Sequence, residues 1–155
     1  MTTKNFKNYI KTQQIPLQWG GVLRAMSAEM SSVSDGPDLH DFFFRIGERF
    51  ASEVETKFQG VETLEDLEAS LNSFWSEINW GWVELVEEEG GIDITHQCAP
   101  LAKAFGDAAL SWSVGLLEGF YQTLFNEFGA NDEMKMNSVR ESPDGMDIRL
   151  RFSQS

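Results

Sequence analysis

The chain has 155 residues, 41% of them apolar, with 25 acidic and 12 basic residues and a net charge of −13. That length bounds a single domain, and the apolar share excludes a disordered chain. The acidic balance excludes nucleic acid and anionic lipid as partners, and a lone Cys98 excludes an internal disulfide.

Residues 1–15 are polar with spaced aromatics, Phe6 and Tyr9, and read as a flexible N-terminal arm ahead of one α+β domain over 16–155. Pro16 opens a helical stretch to about Val33, and SVSDGPD at 32–38 breaks it. Leu39, Phe42, Phe43, Ile46, Phe50, Val54 and Phe58 form the stripe of a second helix, with Asp38 as its cap and Gly60 as its stop. Thr63 with Asp66 starts a third, whose stripe runs through Leu64, Leu67, Leu71, Phe74, Trp75 and Ile78. The period then changes from 3.6 to 2. Trp80, Trp82 and Glu84 face one way and Gly81, Val83 and Leu85 the other, the Gly90–Gly91 turn follows, and IDITHQC alternates, which together predict a β-hairpin. Helix resumes after Pro100, with a main stripe from Leu110 to Phe128 and Gly129 as its cap. SPDG at 142–145 turns a second hairpin, in which Met146, Ile148, Leu150 and Phe152 point inward. The fold class is α+β: helices packed on a small antiparallel sheet made from two hairpins that a long helix separates. No internal repeat is visible.

The longest apolar-or-small run, AALSWSVGLL at 108–117, is far short of the roughly 20 residues a membrane helix needs. The N-terminus has neither an apolar h-region nor a cleavage site. The expectation is a soluble chain, without membrane insertion, that stays where it is made. No catalytic residue, metal or cofactor is assigned. His96 and Cys98 share a strand face but have no second ligand pair at metal spacing, and no acid is placed to orient a Cys–His pair. With 25 carboxylates a coincidental pair carries no signal, and phosphate-binding or nucleophile-elbow motifs do not occur. GLLEG at 115–119 puts two glycines four apart on one helix face, a spacing that lets a neighbouring backbone come close. Glu118 beside that apolar stripe reads as exposed, or as a polar contact across a subunit interface. Trp80 and Trp82 read as core or interface, with one of them packed against the helix that ends at Ile78, or as a sugar-stacking platform.

INWGWVEL at 78–85, followed some thirty residues on by LLEGFYQTLF, resembles the D subunit family of bacterial cellulose synthase. The matching residues are Asn79, Trp80, Gly81, Leu117, Glu118, Gly119 and Tyr121, and FFFRIGERFA at 42–51 resembles a helix of that family. Together with Trp82 these form an assembly or core motif rather than a catalytic one. The resemblance implies a non-enzymatic accessory protein. It would form a ring-shaped homo-octamer, a tetramer of dimers, that organises synthase complexes and the aligned export and crystallisation of glucan chains. Its partners would be the cellulose synthase complex and other cellulose-biosynthesis accessory proteins, in the cytoplasm or alternatively the periplasm. β-1,4-Glucan is a further candidate partner. The arm is the one basic, aromatic stretch of an acidic chain, and Phe6, Tyr9, Lys4 and Lys7 are its candidate glucan contacts. The competing reading is a small-molecule or haem sensor of the four-vinyl-reductase or haem-nitric-oxide type, in which the 12 Phe and 6 Met line a cavity and His96 ligates iron.

Overall fold

The computed structural model describes residues 3–130 and 132–154. Helices α1 (Thr3–Gln14), α2 (Leu17–Val33) and α3 (Gly36–Val54) come first, and α3 runs into a 3₁₀ turn at Glu55–Phe58. Helix α4 (Leu64–Glu77) leads into a hairpin of β1 (Trp82–Glu88) and β2 (Gly91–Gln97). Two short helices, α5 (Leu101–Phe105) and α6 (Leu110–Ser113), precede α7 (Gly115–Glu127) and the hairpin of β3 (Met134–Glu141) and β4 (Ile148–Gln154). The two hairpins merge through β2 and β4 into one antiparallel sheet of order β1-β2-β4-β3, the α+β class that the alternating periods dictate.

One face of the sheet is buried. Val83, Leu85, Ile94, Met136, Ile148, Leu150 and Phe152 pack under Leu67, Leu71, Phe74 and Trp75 of α4 and Leu117, Phe120, Tyr121, Leu124 and Phe125 of α7. Helix α3 lies against α7 at a distance only glycine permits. A Cβ on Gly119 would collide with the Phe44 carbonyl, one on Gly47 with the Leu116 carbonyl, and one on Gly115 would sit 2.5 Å from the His40 carbonyl oxygen. The GLLEG spacing thus serves a close approach inside the chain.

Five local expectations change. Residues read as a loose arm form α1. Helix α3 starts earlier than its stripe suggested, and its N-cap is Asp35, whose Oδ1 accepts from the Asp38 N–H at 2.9 Å. The helix after Pro100 is interrupted, because Gly106 (φ 96°, ψ 154°) leaves helical space and separates α5 from α6 and α7. Trp80 lies before the strand and turns inward, so it does not share an outer face with Trp82. The Thr63 cap is where the sequence put it, accepting from Asp66 N–H at 3.0 Å, but the two-residue hairpin turn is Glu89–Gly90, both at positive φ, rather than Gly90–Gly91, because Gly91 already pairs with Glu88.

The edge strands are closed by helix side chains. Asn72 of α4 exchanges two hydrogen bonds with the Val83 backbone, accepting from N–H at 2.7 Å and donating to the carbonyl at 2.9 Å, while Glu68 accepts from Leu85 N–H at 2.7 Å. On the opposite edge Gln122 of α7 accepts from Met136 N–H at 3.1 Å and Glu118 from Ser138 N–H and hydroxyl, both at 2.7 Å. Each clamp is an i, i+4 pair on a helix reading an i, i+2 pair on a strand. Helix–hairpin units α4–β1–β2 and α7–β3–β4 are therefore built alike, a repetition the sequence did not reveal.

Candidate functional site

Asn79 (φ 59°) and Gly81 (φ 79°) turn the chain out of α4 and into β1. A Cβ on Gly81 would overlap the Gln97 carbonyl, so glycine is required there twice over. The turn puts the Trp80 ring flat on Trp75 (centroids 5.4 Å apart, planes at 18°) and the Trp80 N–H on the Trp75 carbonyl at 2.9 Å. The Trp80 carbonyl then faces His96 Nε2 at 2.6 Å.

His96 is fully buried, and its Nδ1 lies 2.6 Å from the Tyr121 hydroxyl. A carbonyl only accepts, so Nε2 carries the proton and Nδ1 accepts from Tyr121. The Tyr121 oxygen accepts in turn from the Trp75 indole N–H at 3.1 Å. Every polar atom of this relay has a partner and each proton has one place to be. Burial pushes the His96 pKa down to about 4, against the opposing pull of the Trp80 carbonyl and Asp147, and pushes the Tyr121 phenol well above its ordinary value although the Trp75 bond opposes it. His96 is thus a neutral structural link. With both nitrogens taken it cannot ligate haem iron without dismantling the network. Among the described residues no group of three His, Cys, Asp or Glu could hold a metal ion.

Outside this network, α1 docks on the same end of the sheet. Lys7 Nζ lies 2.6 Å from Asp147 Oδ2 and 3.4 Å from Asp144 Oδ2. The Asp147 hydrogen bond raises the Lys7 pKa over the opposing effect of partial burial. The same Asp147 accepts from the Cys98 N–H at 3.1 Å, and Gln14 Nε2 donates to the Cys98 carbonyl at 2.5 Å. Cys98 sits buried at φ 57°, a conformation these neighbours hold. The Phe6 ring lies 6.4 Å from Trp82, whose indole N–H donates to Gln97 Oε1 at 2.5 Å.

Between α1 and the turn runs a groove of about 410 Å³ lined by Tyr9, Ile10, Gln13 and Gln14 on one side and Trp75, Ser76, Asn79, Gly81 and Trp82 on the other. Tyr9 and Trp82 are exposed along it. Gln14 Oε1 is buried with no hydrogen-bond partner among the described groups. The groove offers aromatic faces and amides but no nucleophile beside a base. Of the residues singled out in the sequence, Tyr9, Trp82, Asn79 and Gly81 meet here, and Phe6 touches the groove only through its ring contact with Trp82. Lys7 is spent on Asp147, and Lys4 is exposed on α1 away from the lining. Tyr121 and Trp80 belong to the network behind it. Glu118 and Gly119 lie elsewhere, on α7. Glu118 is buried rather than exposed, and its partners are intramolecular: Ser138 and the His40 imidazole Nε2. Sequence reasoning missed the roles of His96 and Trp75 in the relay, and missed Gln13 and Gln14 altogether. For His96 the signal was available: an imidazole on the inward face of an apolar strand needs two partners.

The fold and the groove define a small α+β protein whose tryptophan turn serves packing and which carries a polar–aromatic groove beside that turn. A model of the cellulose synthase D subunit family matches residues 5–152, and the chain belongs to that family. It is similar to proteins named cellulose synthase operon protein D from Komagataeibacter xylinus and Komagataeibacter sucrofermentans, each 29% identical over 101 residues. The match covers 64% of this chain and 64% of those relatives, just under two thirds of their length. No helix among the described residues is long and apolar enough to cross a membrane.

Proposed function

We propose that this chain is a non-catalytic accessory subunit of bacterial cellulose synthesis. It assembles into a ring-shaped homo-octamer, a tetramer of dimers, that organises synthase complexes and the aligned export of glucan chains. The observation that carries this reading is the family match over residues 5–152. Two features of the chain support it. Helix α2 exposes Trp19, Val22, Met26 and Val33 along one stripe, an apolar surface that self-assembly would cover. The groove beside α1 suits a glucan: Tyr9 and Trp82 provide faces for a pyranose ring, and Gln13 and Asn79 provide amides for hydroxyls. Phe6 and Lys4 extend the contact along the exposed side of α1. The proposed compartment is the cytoplasm, with the periplasm as the alternative, and the proposed partner is the synthase complex with its other accessory proteins.

The test is replacement in a cellulose-producing bacterium from which the gene for its own family member has been deleted. This chain restores cellulose yield and crystallinity, and Tyr9→Ala with Trp82→Ala restores less. Cellulose that stays at the deletion level with a well-expressed wild-type chain contradicts the reading.

A further inference from the structure

The sheet has a second face, which α1 meets only at its Trp82 and Asp147 end, through Phe6 and Lys7. Its side chains follow the strand register. Glu84 of β1 is level with Thr95, Arg149 and Arg140, and Val86 is level with Asp93, Arg151 and Asn137. At the far corners stand Glu88 on β1 and Lys135 on β3. The acids lie on the β1–β2 half and the bases on the β4–β3 half. Arg151 and Asp93 pair across the midline at 2.9 Å, and Asp93 is held below the ordinary carboxylate range by that bond first, with Arg149 adding to it. Arg140 and Arg149 stand directly opposite each other, and neither makes a salt bridge among the described residues. Like charges in that position repel. Four cations thus gather on one half-face of a chain whose net charge is −13.

The edges do not offer a way to join copies at their centres, because Asn72 and Glu68 close β1 and Gln122 and Glu118 close β3. The split face does. We propose that this open face is an interface between two copies of the chain, related by a two-fold axis parallel to the strands. That axis lays β1 of each copy over β3 of the other, so Glu84 meets Arg140 and Glu88 meets Lys135, each in both directions. A two-fold across the strands would stack acid on acid and base on base, so the charges select one arrangement. They also favour a second copy over a neutral glucan, which gains nothing from the split. Four strands of about seven residues present a patch of roughly 19 Å by 23 Å, below the ~800 Å² per partner of a standard interface. The contact is therefore salt-sensitive and one of several within the assembly. The inference rests on the self-assembly part of the proposed function.

Three strand spacings, about 14 Å, separate Glu84 from Arg140 within one copy, so the two cannot pair internally. This makes a mixing experiment decisive. Glu84→Arg and Arg140→Glu, each alone, weaken association about tenfold or more by sedimentation at low salt, while far-UV circular dichroism and Tm stay as in the wild type. An equimolar mixture of the two recovers the wild-type species, because each variant is then complementary to the other in both contacts. Glu88→Lys with Lys135→Glu repeats the test at the corner, and replaces it if a first variant fails to fold. Folded single variants that associate like the wild type, or a mixture that does not recover, overturn the inference. Variants that keep their mass but lose binding to soluble cello-oligosaccharides would make the face a sugar surface and overturn it as well. A wild-type chain that is monomeric at every concentration instead removes the assembly reading itself.

Discussion

The units α4–β1–β2 and α7–β3–β4 solve the same problem with different materials. Both seal a sheet edge with an i, i+4 pair from the preceding helix. In the first unit the pair is Glu68 and Asn72, and the amide both donates to and accepts from Val83. In the second it is Glu118 and Gln122, and the buried carboxylate also holds His40 of α3. The first hairpin is regular and turns in two residues. The second carries a register shift between Ser138 and Arg140 and turns through Ser142–Gly145. The first unit is closed locally and keeps its outer side for the Asn79–Gly81 turn and the groove. The second is tied into the body of the fold, its helix pressed on α3 through Gly47, Gly115 and Gly119. Repetition of architecture thus leaves room for a division of labour: one unit presents the groove and the other anchors the helices.

If that division holds, the anchoring unit is the more sensitive of the two. Gly119→Leu has the largest effect. Its side chain has no space against the Phe44 carbonyl, overpacking costs about 1–3 kcal/mol or more, and the variant loses its folded, assembled form. Gly21→Ala, with nothing within 4 Å of the new Cβ, serves as control and keeps the wild-type Tm or slightly exceeds it.

The clamps come next. Glu118→Ala orphans Ser138 N–H and removes the partner of His40, and costs roughly 2–3 kcal/mol as a lost bond to a charged group. Glu68→Ala, at the less buried edge, costs about 1 kcal/mol. Urea titration of both variants sharpens the comparison, and equal losses would break it.

A smaller effect distinguishes the network behind the groove. His96 has a folded-state pKa of about 4, below its unfolded value. Its contribution is fully present above about pH 6.5 and is lost as pH falls through that window toward 4, with a slope of roughly 1.4 kcal/mol per pH unit. Subtracting the pH profile of a folded His96→Gln variant removes this component. A wild-type profile flat over that window would place His96 outside the core. The smallest effect is Glu88→Gln, a solvent-screened change near zero in stability.

The parts of the fold legible in the sequence are those with a local cause. The Thr63 cap, the existence of the first hairpin and the inward alternation of Ile148, Leu150 and Phe152 each follow from neighbouring residues, whereas the hairpin turn falls one residue before the Gly90–Gly91 pair. The helical nature of α1 was hidden because its ties are distant: Lys7 reaches Asp147 and Gln14 reaches Cys98. Glu118 was misread for the same reason. A carboxylate next to an apolar stripe looks exposed until Ser138, twenty residues on, is seen to need it. The repetition of the two units left no trace because their core positions differ, with Leu71 and Trp75 of α4 standing where α7 has Tyr121 and Phe125. The groove was half legible. Its exposed aromatics were visible in Tyr9 and Trp82, whereas Gln13, Gln14 and Asn79 line it only because α1 folds back on the turn.

The claim at the centre is that this chain works as an assembled accessory protein. The most direct measurement is the mass of the wild-type protein in solution, by multi-angle light scattering at micromolar concentration and low salt. The account predicts a species near eight times the 17.5 kDa of one chain, falling to smaller species as salt rises. A single 17.5 kDa species at every concentration and salt would contradict it.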